Sequence, residues 1–200
     1  FLEICKPEPG DSVFISGAAG AVGQLVGQIA KIKGCSRVIG SCGSDEKAEF
    51  LIKECGYDDV FNYKTNTNYM AQIRKLFPNG INCYFDNVGG ELTDAVFANL
   101  AQFARVSVCG MISQYNLENP EMGPRASYMA LLVREASARG FLVPQFGAQF
   151  PQGIRQMAAW IKEGKITYRE DVLEGIEKTP VAFIRMLNGE NKGKQLVKVS

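Results

Sequence analysis

The chain has 200 residues, 46% hydrophobic and 22% charged, with a formal net charge of +1 and no histidine. That composition supplies a sizeable core and carries no basic or acidic block, which argues against disorder, nucleic-acid binding and anionic membrane surfaces. The missing histidine removes Ser-His and Cys-His nucleophiles, histidine-ligated metal sites and the usual neutral-pH proton shuttle. The six cysteines, at 5, 35, 42, 55, 83 and 109, form no C-x-x-C pair. They read as reduced thiols of a cytoplasmic protein with no metal site. No apolar stretch approaches the ~20 residues of a membrane span. The chain begins at Phe1, so a further N-terminal piece, with any address it carried, is expected ahead of it.

In chain order, Ser12 to Ser16 reads as a strand that runs into a glycine-rich turn, and Ala21 to Lys33 as a helix stopped by Gly34. A strand at Arg37 to Cys42 and a helix from Ser44 to about Gly56 follow, then a short strand, Val60 to Tyr63. The spacing predicts a helix over Tyr69 to Phe77, a strand over Ile81 to Asp86, a helix over Glu91 to Ala101 and a strand over Arg105 to Cys109. It then predicts a helix over Tyr128 to Ala138 and a sixth strand over Gly140 to Val143. The expected fold is α/β: a doubly wound, six-stranded parallel sheet of order 3-2-1-4-5-6. After Pro151 the rhythm changes: a helix through Trp160, an extended Ile166 to Leu173, a helix over Thr179 to Leu187 and a strand over Gln195 to Val199. Residues 1–150 are therefore expected to form one domain and 151–200 a segment of another.

The turn Gly17-Ala18-Ala19-Gly20-Ala21-Val22-Gly23 lies between the first strand and the first helix. Small residues there let backbone approach a pyrophosphate, whose charge meets free N–H groups at the helix start. The bland alternative is a glycine-rich turn needed only for packing. An NAD site usually ends its second strand in an acidic residue that binds the ribose hydroxyls. Here that position reads Ser41-Cys42-Gly43-Ser44, with Lys47 one turn on, which favours a 2′-phosphate and hence NADP. Asn87, beyond the fourth strand, and Tyr115, beyond the fifth, fall where open α/β sheets bind ligands. Their bland readings are a turn cap and a surface tyrosine.

With Ser44 to Lys47, Phe61 to Lys64, Phe85 to Gly90, Cys109 to Tyr115 and Gly189 to Lys194 in one order, the chain resembles a known family. It is similar to the zinc-independent medium-chain dehydrogenases/reductases of the prostaglandin reductase (2-alkenal reductase) type. The resemblance implies a Rossmann domain followed by part of a GroES-like substrate domain, most of which would precede Phe1. It implies NADPH-dependent reduction of carbon–carbon double bonds conjugated to a carbonyl, in enones, alkenals or oxo-prostaglandin-like lipids. Beside Gly20 of the glycine turn, it places the cofactor on residues matching Ala21, Val22, Gly23, Gln24, Lys47, Tyr63, Asn87, Cys109, Gly110, Met111, Ile112, Ser113, Gln114, Tyr115, Phe141, Leu142, Val143 and Asn191. Tyr115 is the candidate catalytic residue, since a neutral phenol with pKa near ~10 can donate to a developing oxyanion. A homodimer is compatible with this reading. Two alternatives stay open: a quinone reductase of the same superfamily, and a non-catalytic NADPH-binding domain.

Overall fold

The protein was analysed as a computed structural model, which describes residues 1–119 and 126–199. Six βα units build the main body. Strand β1 (Ser12–Ile15) leads to helix α1 (Gly23–Ile32), β2 (Arg37–Cys42) to α2 (Asp45–Lys53), and β3 (Asp59–Asn62) to α3 (Tyr69–Leu76). Then β4 (Ile81–Asp86) leads to α4 (Gly90–Phe97), β5 (Leu100–Val108) to α5 (Ala126–Val133), and β6 (Ser137–Gly140) runs on into a 3-10 turn. All six strands pair in parallel in the order β3-β2-β1-β4-β5-β6. This is the expected doubly wound sheet. Its chain order reverses beside β1, so the carboxyl ends of β1 and β4 open a crevice.

Period-2 alternation sends neighbouring residues of each central strand to opposite faces. Val13 and Ile15 join Val38, Cys83 and Phe85 under α1 and α2. Phe14 joins Ile39, Phe61, Tyr84 and Val106 under α3 and α4. Phe14 packs against Phe61, Phe77 and Tyr84 at 6.0, 6.0 and 5.6 Å between ring centres. Burying each such ring contributes about 1.5–3 kcal/mol. Because both faces are covered, these strands show continuous apolar runs, which is why the sequence marks them clearly.

The boundaries fail further along. Helix α4 stops at Phe97, not Ala101, because Asn99 ends it. The Asn99 N–H donates to Val96 O, its side chain donates to Phe77 O, and its carbonyl accepts from Ile81 N. Leu100 then starts β5, whose pairing with β4 shifts register between Ile81 and Cys83. Helix α5 ends at Val133 and Glu135 takes φ 46°. This left-handed turn starts β6 at Ser137, three residues before the expected strand, and leaves Phe141, Leu142 and Val143 beyond it.

Helix α6 (Phe150–Lys162) crosses the expected 150/151 boundary. Beyond it, β7 (Glu170–Glu174), α7 (Thr179–Leu187) and β8 (Lys194–Lys198) form a further parallel crossover with its own two-stranded sheet. The tail therefore continues the βα rhythm, contrary to expectation, but outside the main sheet. It docks on α1 through two buried glutamines one turn apart. The Gln24 side chain exchanges hydrogen bonds with Arg169 N and O (2.9 and 3.2 Å), and the Gln28 side chain with Thr167 N and O (2.8 and 2.8 Å). Four helical residues rise about 6 Å and two extended residues about 6.6 Å, so the helix face imitates a strand partner. No helix among the described residues is long and apolar enough to cross a membrane.

Candidate functional site

A cavity of about 750 Å³ opens at the switch point between β1 and β4. The glycine turn forms its floor. Gly17 takes φ +59°, and a Cβ on Gly23 would stand 2.6 Å from the Ala18 backbone, so the helix can start this close only with glycine there. Helix α1 has no side-chain cap and no acid in its first turn, which leaves positive dipole at the cavity for an anion. Ala18, which stands where the common fingerprint has glycine, is tolerated because β2 offers Gly40. The Ala18 methyl lies 2.5 Å from where a Gly40 Cβ would be. Tyr57 fills the remaining space. Its ring lies where a Gly27 Cβ would go, and its hydroxyl donates to Gly23 O at 2.7 Å. Complete burial raises its pKa well above the ordinary range. The sequence reading missed Tyr57; the pairing of Gly27 with Gly40 was the available signal.

The wall at β4 is organised by Asp86, which is 2% exposed and was also missed as a site residue. Its Oδ1 accepts from the Ser16 and Tyr84 hydroxyls (3.0 and 2.8 Å) and from Val88 N and Gly89 N (both 2.9 Å). Its Oδ2 accepts from the Thr93 hydroxyl at 2.8 Å. Asn87 N donates to Ser16 Oγ and Asn87 Nδ2 to Ser16 O at 2.7 Å, so one amide N–H of Asn87 is already used within the wall. The next loop hangs on this one: Cys109 N and Gly110 N donate to Asp86 O, Ile112 N to Asn87 O and Ser113 N to Val88 O. At its end the Tyr115 hydroxyl accepts from Met111 N at 3.0 Å and lies over Gly110. That contact uses an oxygen lone pair and leaves the phenolic proton to donate. The Cys109 thiol is half-buried, and desolvation raises its pKa.

At the other end, Ser44 caps α2 by accepting from Lys47 N at 3.3 Å. The Lys47 ammonium is half-buried and donates to Gly189 O at 2.5 Å. Desolvation lowers its pKa most, and the nearby Lys64 charge lowers it further. Tyr63, with a pKa raised by burial, places its hydroxyl above Gly43. The C-terminal loop closes this side. Gly20 bridges Gly193, Asn191 Nδ2 donates to Gly193 O at 2.7 Å, and Lys192 pairs with Glu46 at 2.6 Å.

Of the residues expected from the sequence to hold the cofactor, Gly20, Ala21, Val22, Gly23, Lys47, Tyr63, Asn87, Cys109, Gly110, Ile112, Ser113, Gln114, Tyr115 and Asn191 line this one cavity. Met111, Phe141 and Leu142 line an adjoining, more open cavity of about 630 Å³ that shares Cys109, Gly110 and Tyr115 with the first. Gln24 and Val143 line neither. The Gln24 side chain is committed to Arg169, and Val143 starts the 3-10 turn and is largely exposed.

Strand order, glycine turn and switch-point cavity define a Rossmann-type α/β domain. The sequence pattern of the family described as zinc-binding dehydrogenase matches residues 21–163, and the chain belongs to that family. It is 46% identical over 200 residues to the 2-alkenal reductase (NADP(+)-dependent) of Nicotiana tabacum, covering all of this chain and 57% of that protein. It is 47% identical over 194 residues to prostaglandin reductase 1 of Oryctolagus cuniculus, covering 96% and 55%. The crystal structure of CurA from Vibrio vulnificus in complex with NADPH superposes with a TM-score of 0.93 at 40% identity, over all of this chain and 60% of that one. The chain thus spans little more than half the length of these relatives. The family's descriptive name implies zinc, but this chain has no histidine. Among the described residues no group of three or more Cys, Asp or Glu side chains is placed to hold a metal ion.

Proposed function

We propose that this chain is the cofactor-binding part of an NADPH-dependent reductase of carbon–carbon double bonds conjugated to a carbonyl, working without zinc on a small enone or alkenal. Residues 1–150 are assigned to the cofactor domain and 151–200 to the return segment of a substrate domain. One observation carries the reading. A single cavity runs from the glycine turn past the start of α2, where Lys47 lines it and Asp45 and Glu46 do not, and reaches the Tyr115 hydroxyl. The similarity to an NADP(+)-dependent 2-alkenal reductase and to prostaglandin reductase 1 supports it.

The residues divide the work by position. The backbone at Gly20 to Gly23 and the start of α1 suit the pyrophosphate. Lys47 and Tyr63 face the adenosine ribose, where a 2′-phosphate would meet a desolvated ammonium. The Asn87 and Cys109–Tyr115 loops, fixed to each other through Asp86, form the wall beside the reacting end. A bound nicotinamide supplies the hydride. Reduction of a conjugated double bond leaves negative charge on the substrate's carbonyl oxygen, and the free phenolic proton of Tyr115 is the donor available to offset it. The test is calorimetric titration of the chain with NADPH and NADH and, in a longer form that carries the substrate domain, the rate of NADPH oxidation with an enone and with a quinone. Tighter binding of NADPH and turnover with the enone are expected. Equal affinity for the two cofactors would overturn the cofactor assignment, and turnover with the quinone alone would overturn the substrate class.

A further inference from the structure

We propose that Lys64 is a second cationic ligand for the cofactor's 2′-phosphate and that Gly43 is the residue that gives it access; this rests on reading the cavity as an NADPH site. Lys64 follows β3, and its backbone is fixed there. Its backbone N–H donates to Asn62 Oδ1 at 3.0 Å, and Asn62 Nδ2 donates to Asp45 Oδ1 at 2.9 Å, which ties the end of β3 to the start of α2. A Cβ on Gly43 would stand 2.8 Å from the Tyr63 hydroxyl and 3.4 Å from Lys64 Cε. The end of the Lys64 side chain therefore lies across Gly43, which itself lines the cavity.

The surroundings leave this charge uncompensated. Among the described residues Lys64 makes no ion pair, while the two carboxylates at the start of α2 are engaged elsewhere: Glu46 with Lys192, and Asp45 with Asn62. The Lys64 charge bears on Lys47 as a like charge, against the opposing Asp171 and Glu46 carboxylates, beside a strand end that reads Ser41, Cys42, Gly43 and Ser44. Two cations and a phenol around a glycine make a good receptor for a dianion. A phosphate monoester carries nearly two charges at neutral pH. Lys47, which already gives one N–H to Gly189 O, neutralises one of them, and Lys64 supplies the other. Any side chain at position 43 would push the Tyr63 hydroxyl and the Lys64 stem off the site, so the absent Cβ is part of the specificity.

The experiment uses two probes that differ only by the 2′-phosphate, adenosine 2′,5′-bisphosphate and AMP, titrated calorimetrically into this chain at low and at high salt. Lys64→Gln is expected to weaken the bisphosphate about five- to tenfold, the scale of one charge-assisted bond at an exposed position, and to leave AMP unchanged. The salt dependence should become shallower. Lys64→Arg, which keeps the charge, should hold the bisphosphate within about twofold of wild type. Wild-type affinity in Lys64→Gln, or an equal loss for both probes, would overturn the proposal. If Lys47→Ala then still lost the bisphosphate selectively, the NADPH reading would stand without Lys64. If the wild-type chain bound both probes equally, that reading would fall as well.

Discussion

Removing the Asp86 carboxylate tests whether one buried side chain holds both walls of the cavity. Asp86→Ala leaves five donors without their acceptor: the Ser16, Tyr84 and Thr93 hydroxyls and the Val88 and Gly89 N–H groups. Tyr84 and Thr93 already lie 2.9 Å apart and can satisfy each other. The two backbone N–H groups have no such partner. Leaving a buried donor unpaired costs about 1–3 kcal/mol, so two of them together with the lost charge-assisted bonds should cost about 3–5 kcal/mol. That is a large part of the 5–15 kcal/mol typical of a domain. Asp86→Asn should behave differently. Four of the five bonds end on Oδ1, so an amide oxygen in that place keeps all four, and the amide nitrogen can donate to the Thr93 hydroxyl. A loss of about 1–2 kcal/mol is expected. Urea unfolding followed by the single tryptophan, Trp160, gives both values, and hydrogen exchange at Val88 and Gly89 reports the loop directly. Equal destabilisation by Ala and Asn would refute the argument, because it would mean that the oxygen at the Oδ1 position does not matter.

Other expectations follow from the same contacts. Gly23→Ala places a methyl 2.6 Å from the Ala18 backbone; rigid backbone cannot yield cheaply, so a loss of about 1–3 kcal/mol in urea unfolding and weaker NADPH binding are expected. Lys47→Ala should weaken NADPH about tenfold with NADH nearly unchanged at one salt concentration, and it should also raise proteolytic nicking at Gly189, whose carbonyl loses its partner. In a longer form of the enzyme that turns over, Tyr115→Phe should lower kcat more than it weakens NADPH binding; an unchanged kcat would leave Tyr115 as a wall residue only. Burial pushes the Cys35 thiol up to about 11 and the Cys55 thiol up to about 12, against an ordinary 9.0. The folded chain therefore keeps protons that the unfolded chain releases, so stability is fully present below pH 9.0 and falls as pH rises from there toward 11. Each thiol adds at most about 1.4 kcal/mol per pH unit in that window. Urea midpoints at pH 8 and pH 10, in wild type and in a Cys55→Ala variant, would show it, and a flat profile would refute it.

What could be read from the sequence divides along a physical line. The central strands β1, β2 and β4 are buried on both faces, and their apolar runs fix their limits to within a residue. The edge is different. All four residues of β6 are exposed, so no burial pattern distinguishes Ser137–Gly140 from Gly140–Val143, and the strand was placed three residues late. The limit of α4 was lost for a related reason. Asn99 ends that helix by bonding to Phe77 and Ile81, partners at a distance in the chain that no local window contains.

The candidate site shows the same division more sharply. The glycine turn and Lys47 could be located because their signals are local: small residues before a helix, and a lysine in the first turn after an acid-free strand. Asp86 and Tyr57 could not, since their importance lies in which distant groups they reach, Ser16 and Thr93 for one and Gly23 for the other. Gln24 is instructive because it was picked out for the opposite role. The family resemblance places it among the cofactor contacts, yet its side chain is spent on Arg169, 145 residues away. A helix start in a glycine turn exposes backbone to an anion on one face only. The other face of α1, carrying Gln24 and Gln28, is the one that holds the C-terminal segment in place, and that segment carries Gly189 and Asn191 back to the cavity. Cofactor site and chain closure are therefore two faces of one helix. Gln28→Ala, which touches no cavity residue, should loosen the tail and weaken NADPH binding through it, whereas a cavity fixed by the main sheet alone would bind as before.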